Sequence, residues 1–232
     1  MNDNYISQKK VNCMRVAIFD FDGTLYKNET FPVLMKHLKN HPRYHNRYKR
    51  FFRTILPPYI GYKLKVYPEH KMRERSMQIY LSSLHNLSSE EVYLFFRELA
   101  DQMKNDFNAT VIEQLEHHVE MGDTIMIVSG AFTPLLEEAT KHYTIDKIIG
   151  TEVPFADNKF DSSASIYHIQ GARKKEKIQH ALEGADIDWD NSYAYADSYS
   201  DLSVLELVGN PVAVQPEPRL KTVAEERKWE TI

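Results

Sequence analysis

Four acids, a serine and a pair of lysines stand in this sequence where strands would end. Asp20 and Asp22 follow the apolar run Val16 to Phe19 and precede Gly23-Thr24. Ser129 and Gly130 close the run "TIMIVSG", Asp197 and Asp201 follow "YAYA", and Lys174 and Lys175 open a basic segment between those two runs. Carboxylates crowded at one place repel unless a cation sits among them. Oxygen-only donors suit Mg2+, which keeps several waters and takes few protein carboxylates. Such an ion would also attract phosphate. A serine hydroxyl and the Gly130 amide at a helix start can hold phosphate oxygens, and a lysine supplies a positive point charge. These are the means of phosphoryl transfer, which needs positioning and charge stabilisation.

A carboxylate can itself be the nucleophile and become an aspartyl-phosphate. Asp20 ends the strand and is the candidate nucleophile. Asp22 is the candidate acid and base, protonating the leaving oxygen and then deprotonating the attacking water. A spacing of two puts both side chains on one side of an extended chain. Gly23 lets the backbone turn under a bound anion. Thr24 can tie the loop by hydrogen bonding and is counted with the phosphate-binding group.

The elements that must position these residues alternate. Strands are expected over Val16–Asp20, Asp123–Gly130, Ile145–Ile149, the "SYAYA" run and Pro211–Val214. Helices are expected from Glu29, with Pro32 in the first turn, over 69–85, after a Ser88/Glu91 capping box, over Thr110–Met121, from Pro134, from Arg173, and over 217–228. "EVPFADNKF" reads as a hairpin around Asp157-Asn158. Pro57-Pro58 is expected to break the segment 41–65. Strand–helix alternation before residue 28 and after about 107 predicts an α/β fold with a parallel sheet. In such sheets the functional crevice lies beyond the carboxyl ends of the strands, which is where all four acids fall. Residues 1–28 and 107–232 form the expected core domain, and 29–106 an inserted all-helical cap domain.

Bulk numbers bound the rest. At 232 residues and 42% apolar content, the chain can bury one sizeable core with a smaller insertion. Its net charge of −4 gives no general push toward nucleic acid, and no nucleic-acid partner is expected. No apolar stretch approaches the roughly 20 residues of a membrane span, and the polar start "MNDNYISQKKVNCMR" has no leader-like apolar region. A single cysteine, Cys13, permits no intrachain disulfide and suits a reducing cytoplasm. The ten histidines are read as showing no His-x-x-x-His metal spacing, and no histidine is expected as a metal ligand.

"DFDGTL", "IVSG", "GARKKEK" and "YADSYSDLSVL", in this order, resemble the four motifs of the haloacid dehalogenase superfamily. The chain looks like its phosphoserine-phosphatase-like branch, whose helical cap follows the first motif. The resemblance implies a Rossmann-like, doubly wound core and a Mg2+-dependent phosphatase acting on a small phosphorylated metabolite. It implies Asp20 as nucleophile and metal ligand, and Asp22 as acid and base with its backbone carbonyl on the metal. Ser129 and Gly130 would bind phosphate, Lys174 would stabilise phosphate and nucleophile with Lys175 and Lys177 as close competitors for that role, Asp197 would ligate the metal, and Asp201 would support the metal or orient Lys174. "LYKNET" is similar to the stretch in which a glutamate, here Glu29, contacts a substrate amine. "ADSYSD" departs from the phosphoserine phosphatase form of the fourth motif and resembles branch members that act on phospholipid head groups. Phosphoserine and a phospholipid head-group phosphate are thus both expected substrates.

Residues 36–75 hold twelve Lys or Arg against two Glu, a net +10 that leaves −14 on the rest of the chain. Aromatic residues interleave with them. A solvated helix face, steering of an anionic substrate, and peripheral contact with an anionic membrane all fit this pattern. Two functions without turnover compete with the phosphatase: a phospho-accepting signalling module, and an anionic lipid or RNA adaptor. The protein is expected as a monomer or homodimer.

Overall fold

The computed structural model describes residues 13–232. Residues 1–12, on which most of the expectation of no leader falls, lie outside the described residues. In chain order the elements are β1 (Val16–Phe19), α1 (Thr30–Asn40), α2 (His45–Lys63), α3 (Glu69–Ser83), α4 (Ser89–Met103), α5 (Ala109–Glu120), β2 (Thr124–Phe132), α6 (Thr133–Thr140) and β3 (Lys147–Thr151). Then come β4 (Phe155–Ala156), β5 (Lys159–Phe160), α7 (Ala172–Ala181), β6 (Tyr193–Ala196), α8 (Leu202–Leu205), β7 (Asn210–Ala213), α9 (Pro218–Arg227) and β8 (Glu230–Thr231).

Six strands form one sheet in the order β3-β2-β1-β6-β7-β8, and every neighbouring pair is parallel. β1 is buried along its whole length, because helices cover both faces. Alternate residues feed two cores. Ala17, Phe19, Ile127 and Tyr195 face one way, toward α5 and α6. Val16, Ile18, Met126 and Ala194 face the other, toward Ile178 of α7 and Leu220 of α9. The chain leaves β1 in one direction through β2 and β3, then returns to the far side of β1 as β6. That reversal makes a topological switch point between β1 and β6, where open α/β sheets place their ligands.

α1 to α4 pack over the first face and share its buried cluster. Tyr80 stacks on Phe132 of β2 at 6.2 Å between ring centroids, and Phe96 meets the same ring at 5.6 Å. Ser88 caps α4 as its sequence predicts: its hydroxyl accepts from the Glu91 amide at 3.2 Å and its amide donates to the Glu91 carboxylate at 2.9 Å. The hairpin of β4 and β5 turns through Asp157 and Asn158, both at positive φ.

Three local expectations are corrected. α2 runs through Pro57-Pro58 without a break. The carbonyls freed by the missing proline N–H groups belong to Arg53 and Thr54, which are exposed, so solvent can satisfy them. β2 continues past Gly130 to Phe132 through a register shift between Val128 and Phe132. β8 adds a sixth strand at the edge; two exposed residues leave no alternating pattern to read.

Candidate active site

β1 and β6 end side by side, and their acids follow. The Asp20 amide donates to the Tyr195 carbonyl at 2.9 Å, which fixes the first acid against the neighbouring strand. Oxygens of Asp20, Asp197 and Asp201 all lie within 4.8 Å of one another. Lys174, on the first turn of α7, reaches between two of them: its Nζ is 2.7 Å from Asp20 Oδ1 and 2.6 Å from Asp201 Oδ1. Lys174 is buried, whereas Lys177 lies over the Tyr167 ring at 5.2 Å. Geometry thus separates lysines that spacing alone could not.

Asp22 stands apart from that cluster. One of its oxygens accepts from the Thr30 amide at 3.1 Å and the other from the Thr30 hydroxyl at 2.8 Å, at the start of α1. Its carboxyl therefore faces the cavity in a fixed orientation. Ser129 is buried, and its hydroxyl accepts from the Ala131 amide at 3.1 Å. Ser129, Gly130 and Glu29 line the cavity along with the acids. Thr24 does not. It is fully buried and its hydroxyl points to Asp197 Oδ1 at 3.5 Å, so the expectation of a phosphate contact is corrected to a weak restraint on Asp197. The turn after Asp22 folds Thr24 beneath the acids.

Gly23 has φ +73°, and a Cβ placed there would lie 2.3 Å from Asp197 Oδ2. The first motif's turn and the fourth motif's acid are thus in contact. Gly23→Ala is expected to displace Asp197 and to lower turnover about 100-fold or more, with melting lowered by the strained backbone. Comparing aryl phosphate hydrolysis and thermal melting of the two proteins checks this; unchanged turnover would show that Asp197 need not hold its position.

The electrostatics follow from burial and crowding. Burial drives the Asp20 carboxyl well up, Lys174 opposes this, and Asp201 and Asp197 add to it. Burial and then the Glu29 charge raise Asp22 to about 7. Burial and then Asp201 raise Asp197 to about 6. Burial pushes the Lys174 ammonium down, but Asp20 and Asp201 outweigh it and hold it above its ordinary value. Three carboxylates converging with oxygen donors only is the chemistry of a site for a hard divalent cation. Asp20, Asp197 and Asp201 are the residues that could hold it.

Other residues at the site carry no motif. His168 packs on Gly130, where a Cβ would lie 2.7 Å from its Cε1. Burial, then the charges of Arg73 and Lys174, lower it to about 4. A second donor group, His37, His41 and Glu98, lies between α1 and α4. His37 and His41 have the His-x-x-x-His spacing, which corrects the expectation that the histidines lack it. However, His41 Nδ1 accepts from the Arg43 and Tyr44 amides at 3.1 and 3.3 Å. Its Nε2 therefore carries the hydrogen and donates to Glu98 at 2.8 Å. That nitrogen has no free lone pair, and the trio fastens the end of α1 to α4.

Fold and site together define a class: a Rossmann-like α/β protein with carboxylates and a buried lysine at its switch point, roofed by inserted helices. The chain belongs to the haloacid dehalogenase-like hydrolase family, which matches residues 17–206. It is 31% identical over 166 residues to the inhibition of morphological differentiation protein of Streptomyces azureus, covering 69% of this chain and 58% of that one. It is 25% identical to the histidinol-phosphatase of Neisseria meningitidis, covering 92% and 96% of the two chains. The phospho-aspartyl intermediate analogue of phosphoserine phosphatase shares its fold, with a TM-score of 0.62, 17% identity, and coverage of 94% and 92%. The chain spans about half the length of several curated relatives that it matches. Among the described residues, no helix is long and apolar enough to cross a membrane.

Proposed function

We propose that the protein is a Mg2+-dependent phosphomonoesterase working through an aspartyl-phosphate on Asp20. The observation that carries this reading is Lys174 bridging Asp20 and Asp201 next to Asp197, with the Asp22 carboxyl held separately. The second oxygen of Asp20, not bound by Lys174, attacks phosphorus while the ester P–O bond breaks. Asp22, protonated up to about pH 7, gives its proton to the leaving alkoxide. The resulting carboxylate then takes a proton from water, whose oxygen attacks the phosphoaspartyl phosphorus and frees Asp20. The Ser129 hydroxyl and Gly130 amide hold phosphate oxygens, and Lys174 offsets charge on Asp20 throughout. A bound Mg2+ would supply Lewis acidity and neutralise the crowded carboxylates.

The relatives called histidinol-phosphatase and phosphoserine phosphatase support the same reaction class. The names of both point to phosphorylated amino alcohols, and Glu29, which lines the cavity, is our candidate for contact with a substrate ammonium. Phosphoserine and amino-alcohol head-group phosphates carry such an ammonium, and the contact would select for it without fixing the size of the rest of the leaving group. The test is release of phosphate from an aryl phosphate. Phosphorylation of Asp20 without release would favour the signalling module instead. The basic stretch 36–75 is a separate proposal for contact with anionic membranes, which salt-sensitive liposome cosedimentation checks. Cytoplasmic location accords with the lone cysteine.

Metal dependence has a pH signature. Asp22 and Asp197 are raised, so the metal-free native state holds protons that the unfolded state has lost between about pH 4 and 7. These two groups therefore cost stability as pH rises through that window. Buried His37, His118 and His168 are lowered, by burial first, and act oppositely over much of the same range. Melting of the metal-free protein alone does not isolate the acids, but the increment on adding Mg2+ does. That increment is expected to be near zero at pH 5 and to grow to roughly 5–10 °C at pH 8, since the ion needs deprotonated carboxylates. EDTA should abolish it together with turnover. An increment independent of pH, or turnover untouched by EDTA, would remove the metal from the site.

A further inference from the structure

We propose that the leaving group of the phosphate ester carries an extended apolar body, an alkyl chain or ring system, lying along the inner face of α2. This deepens the phosphatase reading and rests on it. The cavity above Asp20 has a volume of about 740 Å3, in the range of roughly 300–1,000 Å3 that accepts drug-sized ligands. A phosphorylated amino acid of three carbons fills only a small part of it.

The floor and the walls differ in chemistry. The floor is polar, with Asp20, Asp22, Ser129 and Lys174. From α2, Tyr48, Phe52, Ile55, Leu56 and Tyr59 line the wall, at spacings that put them on one helical stripe. Met35 of α1 and Met72 of α3 line the cavity with them; flexible thioethers of this kind adapt to varied apolar shapes. Two of the polar groups on these walls are already engaged. The Ser76 hydroxyl donates to the Met72 carbonyl at 2.7 Å, and the Arg73 guanidinium binds Glu69 at 2.9 and 3.2 Å.

The stripe is not covered by the protein itself. Phe52 is 48% exposed, Leu56 39% and Tyr59 44%, and all three line the cavity that holds Asp20. A small polar leaving group would leave that apolar surface facing water. A chain extending from the phosphate along α2 covers it, and each methylene so buried strengthens binding about two- to fourfold.

The experiment measures phosphate release by the full chain from ethyl, butyl, hexyl and octyl monophosphate below their micelle concentrations, with phosphoserine and an aryl phosphate alongside. kcat/KM is expected to rise two- to fourfold per methylene, reaching about 60-fold or more from ethyl to octyl. Leu56→Asn is expected to reduce the octyl-to-ethyl ratio about tenfold, a change that a purely structural role for Leu56 would not produce. A flat or falling series with the aryl phosphate still hydrolysed overturns the proposal and leaves the phosphatase reading standing. So does phosphoserine outrunning octyl phosphate. No turnover of any ester overturns both. Binding of octylphosphonate to Asp20→Asn protein, measured by calorimetry, gives a readout independent of turnover; an affinity no higher than that of ethylphosphonate likewise overturns the proposal.

Discussion

Asp20→Asn is expected to lower kcat for an aryl phosphate by about 10,000-fold or more, a barrier increase of roughly 5.5 kcal/mol. The amide has the shape of the carboxyl but cannot form the acyl phosphate, so the first bond-making step is lost. Stability should change little. In the native site Lys174 keeps its contact with Asp201 at 2.6 Å, and the substitution removes one of the acids that crowd Asp197. An Asn side chain still fills the buried space and still accepts from the Lys174 ammonium. Steady-state kinetics and thermal melting, done on the same preparation, separate these outcomes. A stable variant with wild-type turnover would exclude Asp20 as nucleophile; a variant that fails to fold would show that the carboxylate is needed for the architecture.

Much of this site was legible because its members are local signals. Asp20, Ser129 and Asp197 each follow a short apolar run, and a parallel sheet brings such positions to one edge whatever the loops do. Register completes the placement, since β1 lies between β2 and β6. Lys174 needed the structure, because three lysines share one helix start and only the pitch of α7 decides which is buried. Thr24 needed the structure for a related reason. A turn was predictable at Gly23, but the direction in which it folds the next hydroxyl depends on contact with Asp197, 173 positions away in sequence.

The apolar wall was illegible for a different reason. Tyr48, Met35 and Met72 meet only because α1, α2 and α3 pack together, and no spacing within one helix shows which stripe is covered. Sequence spacing made residues 36–75 look like a basic surface. The structure places some of that charge in internal ties: Arg47 donates to the carbonyls of Ser83 and His85 at 2.8 and 2.7 Å, and Lys63 lies over Tyr59 at 5.4 Å. Pro57-Pro58 shows how a breaker rule fails. A proline costs most where the carbonyl it frees is buried, and along α2 those carbonyls belong to the exposed residues Arg53 and Thr54.

Lys174→Met tests the second half of the site. The ammonium is buried between two carboxylates at 2.7 and 2.6 Å, and methionine keeps the length of the side chain but not the charge. Removing one partner of a buried pair costs about 3–5 kcal/mol, because the remaining charges are left uncompensated. Here Asp20 and Asp201 would be left facing each other and Asp197. They can relieve the repulsion by taking up protons, which is easier in acid. The loss of stability is therefore expected to be larger at pH 8 than at pH 5, amounting to a fall of roughly 6–15 °C in melting temperature at the higher pH. Mg2+ should recover part of it, since a divalent ion offsets the same acids from the other side. Turnover should not recover. An attacking carboxylate that must share a proton with its neighbour is a poor nucleophile, and charge developing on the phosphoryl oxygens loses its fixed cation. A reduction of about 100- to 1,000-fold in kcat is expected even with Mg2+ saturating. Lys174→Arg should not restore it, because a planar guanidinium cannot occupy the position of a compact ammonium between two acids without moving one of them. Wild-type kcat in the methionine variant would mean that Lys174 serves only to hold the acids together, and the charge balance at the sheet edge would have to be drawn without it.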